Sequence, residues 1–207
     1  MYSALSDTIT QLQDVKEERK TVLEPLIRFI QQKINTREQV ILNFICTHNS
    51  RRSHLAQVWA QAAAACYGIR DVYCYSGGTE ETALFPKVAE TLAGQGFEVI
   101  KITSADNAVY AIKYADNALP IIGFSKKYDN PFNPVSGFAA VLTCSQADDG
   151  CPFIAGAEER IPVTFEDPKN SDHTSWQSEA YAERSLQIAS EMFHVFSSVK
   201  NNPCSKD

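Results

Sequence analysis

The chain has 207 residues, of which 44% are hydrophobic and 21% charged, a composition typical of a folded domain rather than a disordered segment. Its 25 acidic and 19 basic residues give a net charge of −6, which argues against a general nucleic-acid binder. No apolar run approaches the ~18 residues of a membrane span, and the first residues show no secretory signal. We therefore expect a cytoplasmic protein with no membrane and no nucleic-acid partner.

The predicted elements begin with helix over residues 3–37, where apolar residues recur at helical spacing. Pro25 breaks or kinks this stretch, or opens a second helix as its first residue. We interpret residues 1–38 as an N-terminal helical extension, residues 39–199 as the main domain and residues 200–207 as a tail.

The main domain alternates between strand-like and helix-like segments. Strands are predicted at 40–46, 72–75, 97–102 and 139–144, and helices at 52–67, 86–93 and 176–199. An extra segment near residues 106–134 contains a predicted β-hairpin, residues 109–114 with 121–124, and the basic pair Lys126–Lys127. The alternation predicts an α/β fold with a parallel, doubly wound sheet that binds its ligands at the carboxyl ends of the strands.

Six cysteines need an explanation, because in a reducing cytoplasm cysteines are free, metal-bound or catalytic more often than paired. Cys46 has the most informative position, at the end of a buried strand and directly before a helix. Cys66 and Cys74 are expected to pack as small apolar residues, and Cys204 to be an exposed thiol in the tail.

The turn that follows Cys46 places this residue and Arg52 in a C-x5-R spacing. A helix N-terminus offers unpaired N–H groups and a positive dipole end, which bind a tetrahedral oxyanion and favour the thiolate form of a nearby cysteine. The planar fork of Arg52 can bind two oxyanion oxygens. The candidate oxyanion-binding residues are Thr47, His48, Asn49, Ser50, Arg51, Arg52 and Ser53. The alternative is a buried cysteine followed by a solvated arginine pair. Arg51 is expected to face solvent, and His48 adds a donor, crowds the loop or lies on the surface.

Two later segments carry further candidates. Cys144 and Cys151 are separated by six residues and followed by a proline; the pair is a zinc site, a buried and an exposed thiol, or a redox pair joined by a mobile loop at residues 148–150. The Asp167–Pro168 dipeptide is a turn or holds a general acid, for which Glu166 is the competing carboxylate.

Residues 46–53, with the strand before them and Leu55-Ala56-Gln57 after them, resemble the phosphate-binding loop of low-molecular-weight protein tyrosine phosphatases. They are similar also to the loop of thioredoxin-coupled arsenate reductases, which share that fold. Residues 75–80 resemble the second-strand segment of both families. The resemblance implies a three-layer α/β/α fold with a four-stranded parallel sheet, to which the extension and the hairpin are added.

The same resemblance implies roles for individual residues. Cys46 is the nucleophile, Arg52 the oxyanion clamp and Asp167 the general acid. In the reductases a second and a third cysteine, here Cys144 and Cys151, pass the oxidation outward to thioredoxin. No metal and no tightly bound cofactor are implied. Residues 169–171, Lys-Asn-Ser, differ from the aromatic residues that follow Asp-Pro in the phosphatases.

Three hypotheses follow. The leading one is an arsenate reductase-like enzyme that acts on a small oxyanion such as arsenate, phosphate or sulfate, with thioredoxin as reductant. The alternative is a low-molecular-weight phosphatase that hydrolyses phosphoesters through a phosphocysteine intermediate. The third is a non-catalytic oxyanion-binding module. The sequence does not determine the oligomeric state.

Overall fold

The computed structural model describes residues 1–150 and 153–200; Cys151, Cys204 and the predicted tail from residue 201 onward lie outside these ranges. The α-helices are α1 (Ser3–Thr10), α2 (Glu17–Thr36), α3 (Arg52–Cys66), α4 (Pro86–Gly94), α5 (Ser145–Gly150) and α6 (Gln177–Ser198). The strands are β1 (Val40–Cys46), β2 (Val72–Gly78), β3 (Glu98–Lys101), β4 (Tyr110–Lys113), β5 (Ile121–Gly123), β6 (Phe138–Leu142) and β7 (Ala157–Pro162).

A four-stranded parallel sheet in the order β2-β1-β6-β7 forms the centre of the molecule, which confirms the predicted α/β fold. Successive side chains of a strand point to opposite faces, and the buried residues divide accordingly. Phe44 belongs to the larger hydrophobic cluster on one face, whereas Ile45 belongs to a smaller cluster on the other. Helices α3 and α6 pack against each other, α3 also contacts β1 and β2, and α5 contacts β1 and β6.

The third strand, predicted at residues 97–102, does not belong to the parallel sheet. Strand β3 pairs antiparallel with β4, and β4 with β5, so the predicted hairpin is confirmed as part of a separate three-stranded sheet. The fourth parallel strand is instead β7, which the sequence analysis did not predict. As an edge strand β7 exposes Glu158 and Glu159, and it therefore lacks the continuous apolar pattern of a central strand.

The N-terminal residues form two helices, but the break lies at residues 11–16 and not at Pro25, which lies inside α2. Helix α2 continues through Pro25 because its apolar face, including Leu23, Leu26 and Ile30, is fully buried against the core. None of the helices within the described ranges is long and apolar enough to cross a membrane.

Candidate active site

The loop between β1 and α3 begins at Cys46 and ends at Arg52, both of which are buried. The thiol of Cys46 lies 3.1 Å from the hydroxyl of Ser53, in the first turn of α3. Asn49 adopts a left-handed backbone with φ 44°, and its side-chain amide donates to the Ser53 oxygen at 2.9 Å. Because that oxygen already accepts a hydrogen bond, its own hydrogen is free to donate to the Cys46 sulfur.

The carbonyl groups of this loop point outward. Those of residues 46–50 accept hydrogen bonds from the backbone amides of Thr79, Glu80 and Phe85, from the hydroxyls of Thr79, Thr82 and Ser125, and from Nε2 of His54. In a trans peptide the N–H group points opposite to the C=O group, so the amides of residues 47–51 face the inside of the loop. Successive inward amides at a helix N-terminus form a concavity suited to an anion.

Arg52 and Asp167 form an ion pair at this loop. The Arg52 guanidinium donates to the Asp167 carboxylate at 2.6 Å and to the carbonyl of Phe165 at 3.0 Å. The other carboxylate oxygen of Asp167 accepts from the amide of Lys169, so Asp167 caps the 3₁₀ turn Pro168–Ser171. The competing carboxylate, Glu166, has a side chain that is 89% exposed and pairs with Arg184, so it lies away from the loop.

Cys144 is the second sulfur at this end of the sheet. Strands β1 and β6 are neighbours in which Ile45 pairs with Leu142, so both chains leave the sheet together. The buried thiol of Cys144 lies 3.5 Å from the hydroxyl of Thr47 and accepts the amide of Ala147 at 3.4 Å. The expected mobile loop at residues 148–150 is instead the last turn of α5, held by contacts of Arg160 with the Asp148 carbonyl and carboxylate.

Arg51 does not face solvent as expected. Its side chain is 11% exposed, donates to the Asp172 carboxylate at 2.6 Å and to the Tyr181 hydroxyl at 2.5 Å, and stacks over Phe85. Hydrogen bonds with Tyr181, Gln177 and Arg51 hold the pKa of Asp172 below its usual value although desolvation opposes them. Arg51 therefore anchors the loop to α6. By contrast, the expected surface position of His48 agrees with the structure, since its side chain is 40% exposed and lies 3.5 Å from Glu80.

The chain is similar in sequence to known proteins. A family model described as low molecular weight phosphotyrosine protein phosphatase matches residues 41–117. Arsenate reductase 1 of Staphylococcus saprophyticus is 26% identical over 136 residues, which are 65% of this chain and 82% of that protein. Arsenate reductase of Staphylococcus aureus strain Newman is 28% identical over 134 residues, with the same two coverages of 65% and 82%.

These matches support a place for the chain in the low-molecular-weight phosphotyrosine phosphatase superfamily, close to arsenate reductases.

Two solved structures share its fold. An arsenate reductase in the phosphate binding state has a TM-score of 0.50 at 15% identity and covers 78% of this chain and 100% of its own. A low molecular weight phosphotyrosine phosphatase from Vibrio cholerae O395 has a TM-score of 0.50 at 15% identity, covering 77% of this chain and 95% of its own. These two structures support the predicted fold. The family match and the curated arsenate reductases support the prediction that the chain is an enzyme.

Several residues that form hydrogen bonds with the loop between β1 and α3 were not identified from the sequence. They include His54, which lies in α3, and Ser125, which belongs to the extra segment. Among the described residues no group of three or more histidine, cysteine and carboxylate side chains is placed to hold a metal ion. Of the cysteines expected to pack in the core, Cys74 is buried, but Cys66 is exposed at the end of α3.

His54 couples the loop to the pH dependence of stability. Its Nε2 hydrogen donates to the Asn49 carbonyl at 2.9 Å, while Nδ1 accepts from the Ser76 hydroxyl at 3.1 Å. Desolvation by burial, and next the charge of Lys126, lower the pKa of His54 to about 3. An unfolded histidine has a pKa of about 6.5, so between pH ~6.5 and ~3 His54 binds a proton in the unfolded chain but not in the folded chain. The contribution of His54 to the stability of the fold is therefore fully present above pH ~6.5 and is lost as the pH falls toward ~3.

We expect the free energy of unfolding to decrease below pH ~6.5, with His54 contributing a slope of up to about 1.4 kcal/mol per pH unit. Urea denaturation at several pH values between about 7.5 and 5 measures this slope. His54→Gln should flatten it, and His48→Gln, at an exposed histidine, should not. Equal slopes in both variants would contradict the assignment.

Proposed function

We propose that the protein is an arsenate reductase-like enzyme in which Cys46 is the nucleophile and Cys144 the second redox cysteine. The observation that carries this proposal is the position of Cys144 beside the oxyanion loop, in contact with Thr47. A thiol can attack the product of the first step only from such a position. The resemblance to thioredoxin-coupled arsenate reductases supports the same proposal, because their second redox cysteine also follows the nucleophilic cysteine in the chain.

The first step uses the loop. The Cys46 thiolate attacks the arsenic of arsenate, and an As–O bond breaks as Asp167 donates a proton to the departing oxygen, which leaves as water. The inward amides and Arg52 hold the remaining oxygens. Nε of Arg52 is buried and has no hydrogen-bond partner among the described residues, and a bound oxyanion oxygen would satisfy it.

The second step transfers two electrons. The Cys144 thiolate attacks the Cys46 sulfur, an S–S bond forms and the S–As bond breaks with its electron pair left on arsenic, which becomes arsenite. Cys151, outside the described residues, then attacks Cys144 and releases the Cys46 thiolate. A dithiol protein reductant, thioredoxin by the resemblance, reduces the resulting Cys144–Cys151 disulfide.

This relay requires α5 to rearrange. A helix of six residues spans about 9 Å, whereas the Cα atoms of a disulfide lie about 4.4–6.8 Å apart. Helix α5 has two turns at most, and its contacts include those of Arg160 with Asp148, a hydrogen bond from Thr47 to Gln146 and the buried side chain of Ala147. We propose that it unwinds when Cys151 attacks, as short helices with few tertiary contacts do readily.

Hydrolysis of phosphoesters is the second candidate, favoured by the family model that matches residues 41–117 and by the assembly of Cys46, Arg52 and Asp167. In this reaction water, and not Cys144, would release Cys46 from its phosphorylated form. The two functions therefore differ in their need for Cys144.

Replacing Cys144 with serine tests the proposal. Multiple-turnover arsenate reduction with thioredoxin should fall by at least about 100-fold, because the hydroxyl cannot form a disulfide. Hydrolysis of p-nitrophenyl phosphate should change little. Cys74→Ser, at another buried thiol, is the matched control for loss of packing and should retain both activities. Full arsenate reduction by Cys144→Ser would contradict the relay and favour the phosphatase.

A further inference from the structure

The extra segment of the chain passes directly behind the oxyanion loop. The Ser125 hydroxyl donates to the His48 carbonyl at 2.9 Å, and the Lys126 amide donates to the Asn49 side-chain oxygen at 2.9 Å. Gly78 of β2 exchanges backbone hydrogen bonds with Lys126 and Tyr128, both at 2.9 Å. A Cβ at Gly77 would lie 2.4 Å from the Tyr128 Cα, so this close approach requires glycine.

Lys126 is the unusual residue of this segment, because it is completely buried. Its ammonium makes one long hydrogen bond, 3.4 Å to the Phe124 carbonyl, and lies 4.5 Å and 5.4 Å from the ring centroids of Phe124 and Phe132. No carboxylate within residues 1–150 and 153–200 forms an ion pair with it. Desolvation lowers the pKa of Lys126 to about 8, so the ammonium form still predominates at neutral pH.

An unpaired buried charge destabilises a fold, so its presence behind a functional loop needs a reason. The cage of two phenyl rings offsets part of the penalty, since each ring face attracts a cation. An anion bound in the loop would supply the negative charge that the Lys126 ammonium lacks as a partner. The charge of Lys126 already acts on His54, which in turn holds the Asn49 carbonyl.

A chain of hydrogen bonds connects Lys126 to the nucleophile. Its backbone amide donates to the side-chain oxygen of Asn49, whose side-chain amide donates to the Ser53 oxygen at 2.9 Å. The Ser53 hydroxyl lies 3.1 Å from the Cys46 sulfur. Every donor in this chain points toward the sulfur, which is the polarity that stabilises a thiolate.

We propose that Lys126 is a positioning residue of the oxyanion loop: its caged ammonium, carried by the segment that packs behind the loop, supplies a buried positive charge for the bound oxyanion. This inference rests on the proposed function only in taking the loop to bind an oxyanion. Arsenate reduction and phosphoester hydrolysis would both use it.

Lys126→Met tests the inference, with Lys127→Met as the matched control at the exposed neighbour in the same basic pair. Binding of inorganic phosphate, measured by titration calorimetry, should weaken about tenfold in Lys126→Met, because a low-polarity interior screens a unit charge poorly. Iodoacetamide should alkylate Cys46 more slowly, as followed by mass spectrometry. The midpoint of thermal unfolding should rise, because an unpaired buried charge is gone. Lys126→Arg should recover part of the phosphate affinity.

If Lys126 only stabilised the fold, Lys126→Met would lower the midpoint of thermal unfolding instead of raising it. Weaker phosphate binding together with a lower midpoint would therefore overturn the inference. Phosphate affinity and alkylation within about twofold of the Lys127→Met control would overturn it as well. If Lys126→Met does not fold, Phe132→Leu decides, since it opens the ammonium cage at a partly exposed ring and should weaken phosphate binding in the same direction. A wild-type protein that binds no phosphate would contradict the proposed function, and Cys46 alkylation would then still test Lys126.

Discussion

Replacing Cys46 with serine should abolish turnover, with a loss of at least about 10³-fold in kcat for arsenate reduction and for p-nitrophenyl phosphate hydrolysis alike. A serine hydroxyl at this position would need a general base to become nucleophilic, and its immediate neighbour is the Ser53 hydroxyl, which is a weak base. Phosphate binding should persist, because the inward amides of residues 47–51 and the Arg52 guanidinium remain. Steady-state kinetics together with phosphate titration separate the two effects.

Cys66→Ser is the matched control, since Cys66 is a free thiol exposed at the end of the helix that Arg52 begins. It should retain wild-type kcat and wild-type phosphate affinity. A Cys46→Ser protein with more than about a tenth of the wild-type kcat would show that another group is the nucleophile.

Asp167→Asn should lower kcat by about 10²–10⁴-fold, the range typical of the loss of a general acid. The amide can still accept the Lys169 hydrogen bond, so the turn at Pro168 should be preserved. The loss should depend on the substrate: phenyl phosphate, with its poorer leaving group, should suffer more than p-nitrophenyl phosphate, whose leaving group departs without full protonation. Comparing kcat for the two esters in wild type and variant measures this dependence.

Glu166→Gln provides the control at the adjacent carboxylate, which is exposed and paired with Arg184. It should leave kcat unchanged for both esters. If Glu166→Gln shows the larger loss, or if the loss in Asp167→Asn is the same for both leaving groups, Asp167 is not the proton donor.

Residues close together in the chain were the most predictable part of the site. The positions of Cys46, Asn49, Arg52 and Ser53 follow from one strand, one turn and one helix N-terminus, so local spacing was sufficient to group them. Arg51 was predicted wrongly, because its partners Asp172 and Tyr181 are more than a hundred residues away and no local pattern indicates them. The helix at residues 145–150 was also missed, because it is stabilised by Arg160, which lies on the separate strand β7.

The sequence by itself determined the α/β class, the C-x5-R loop after the first strand, and the hairpin in the extra segment. Hydrophobic periodicity and turn composition are properties of consecutive residues, so they can be recognised in the sequence alone. The tertiary structure alone decided which strand completes the parallel sheet, that Asp167 and not Glu166 meets Arg52, and that Cys144 lies beside Thr47. It also placed Lys126, which the sequence showed only as half of a basic pair, in a buried cage behind the loop. Contacts of this kind depend on strand order and packing across the whole chain, because burial and pairing are set by residues that are distant in sequence.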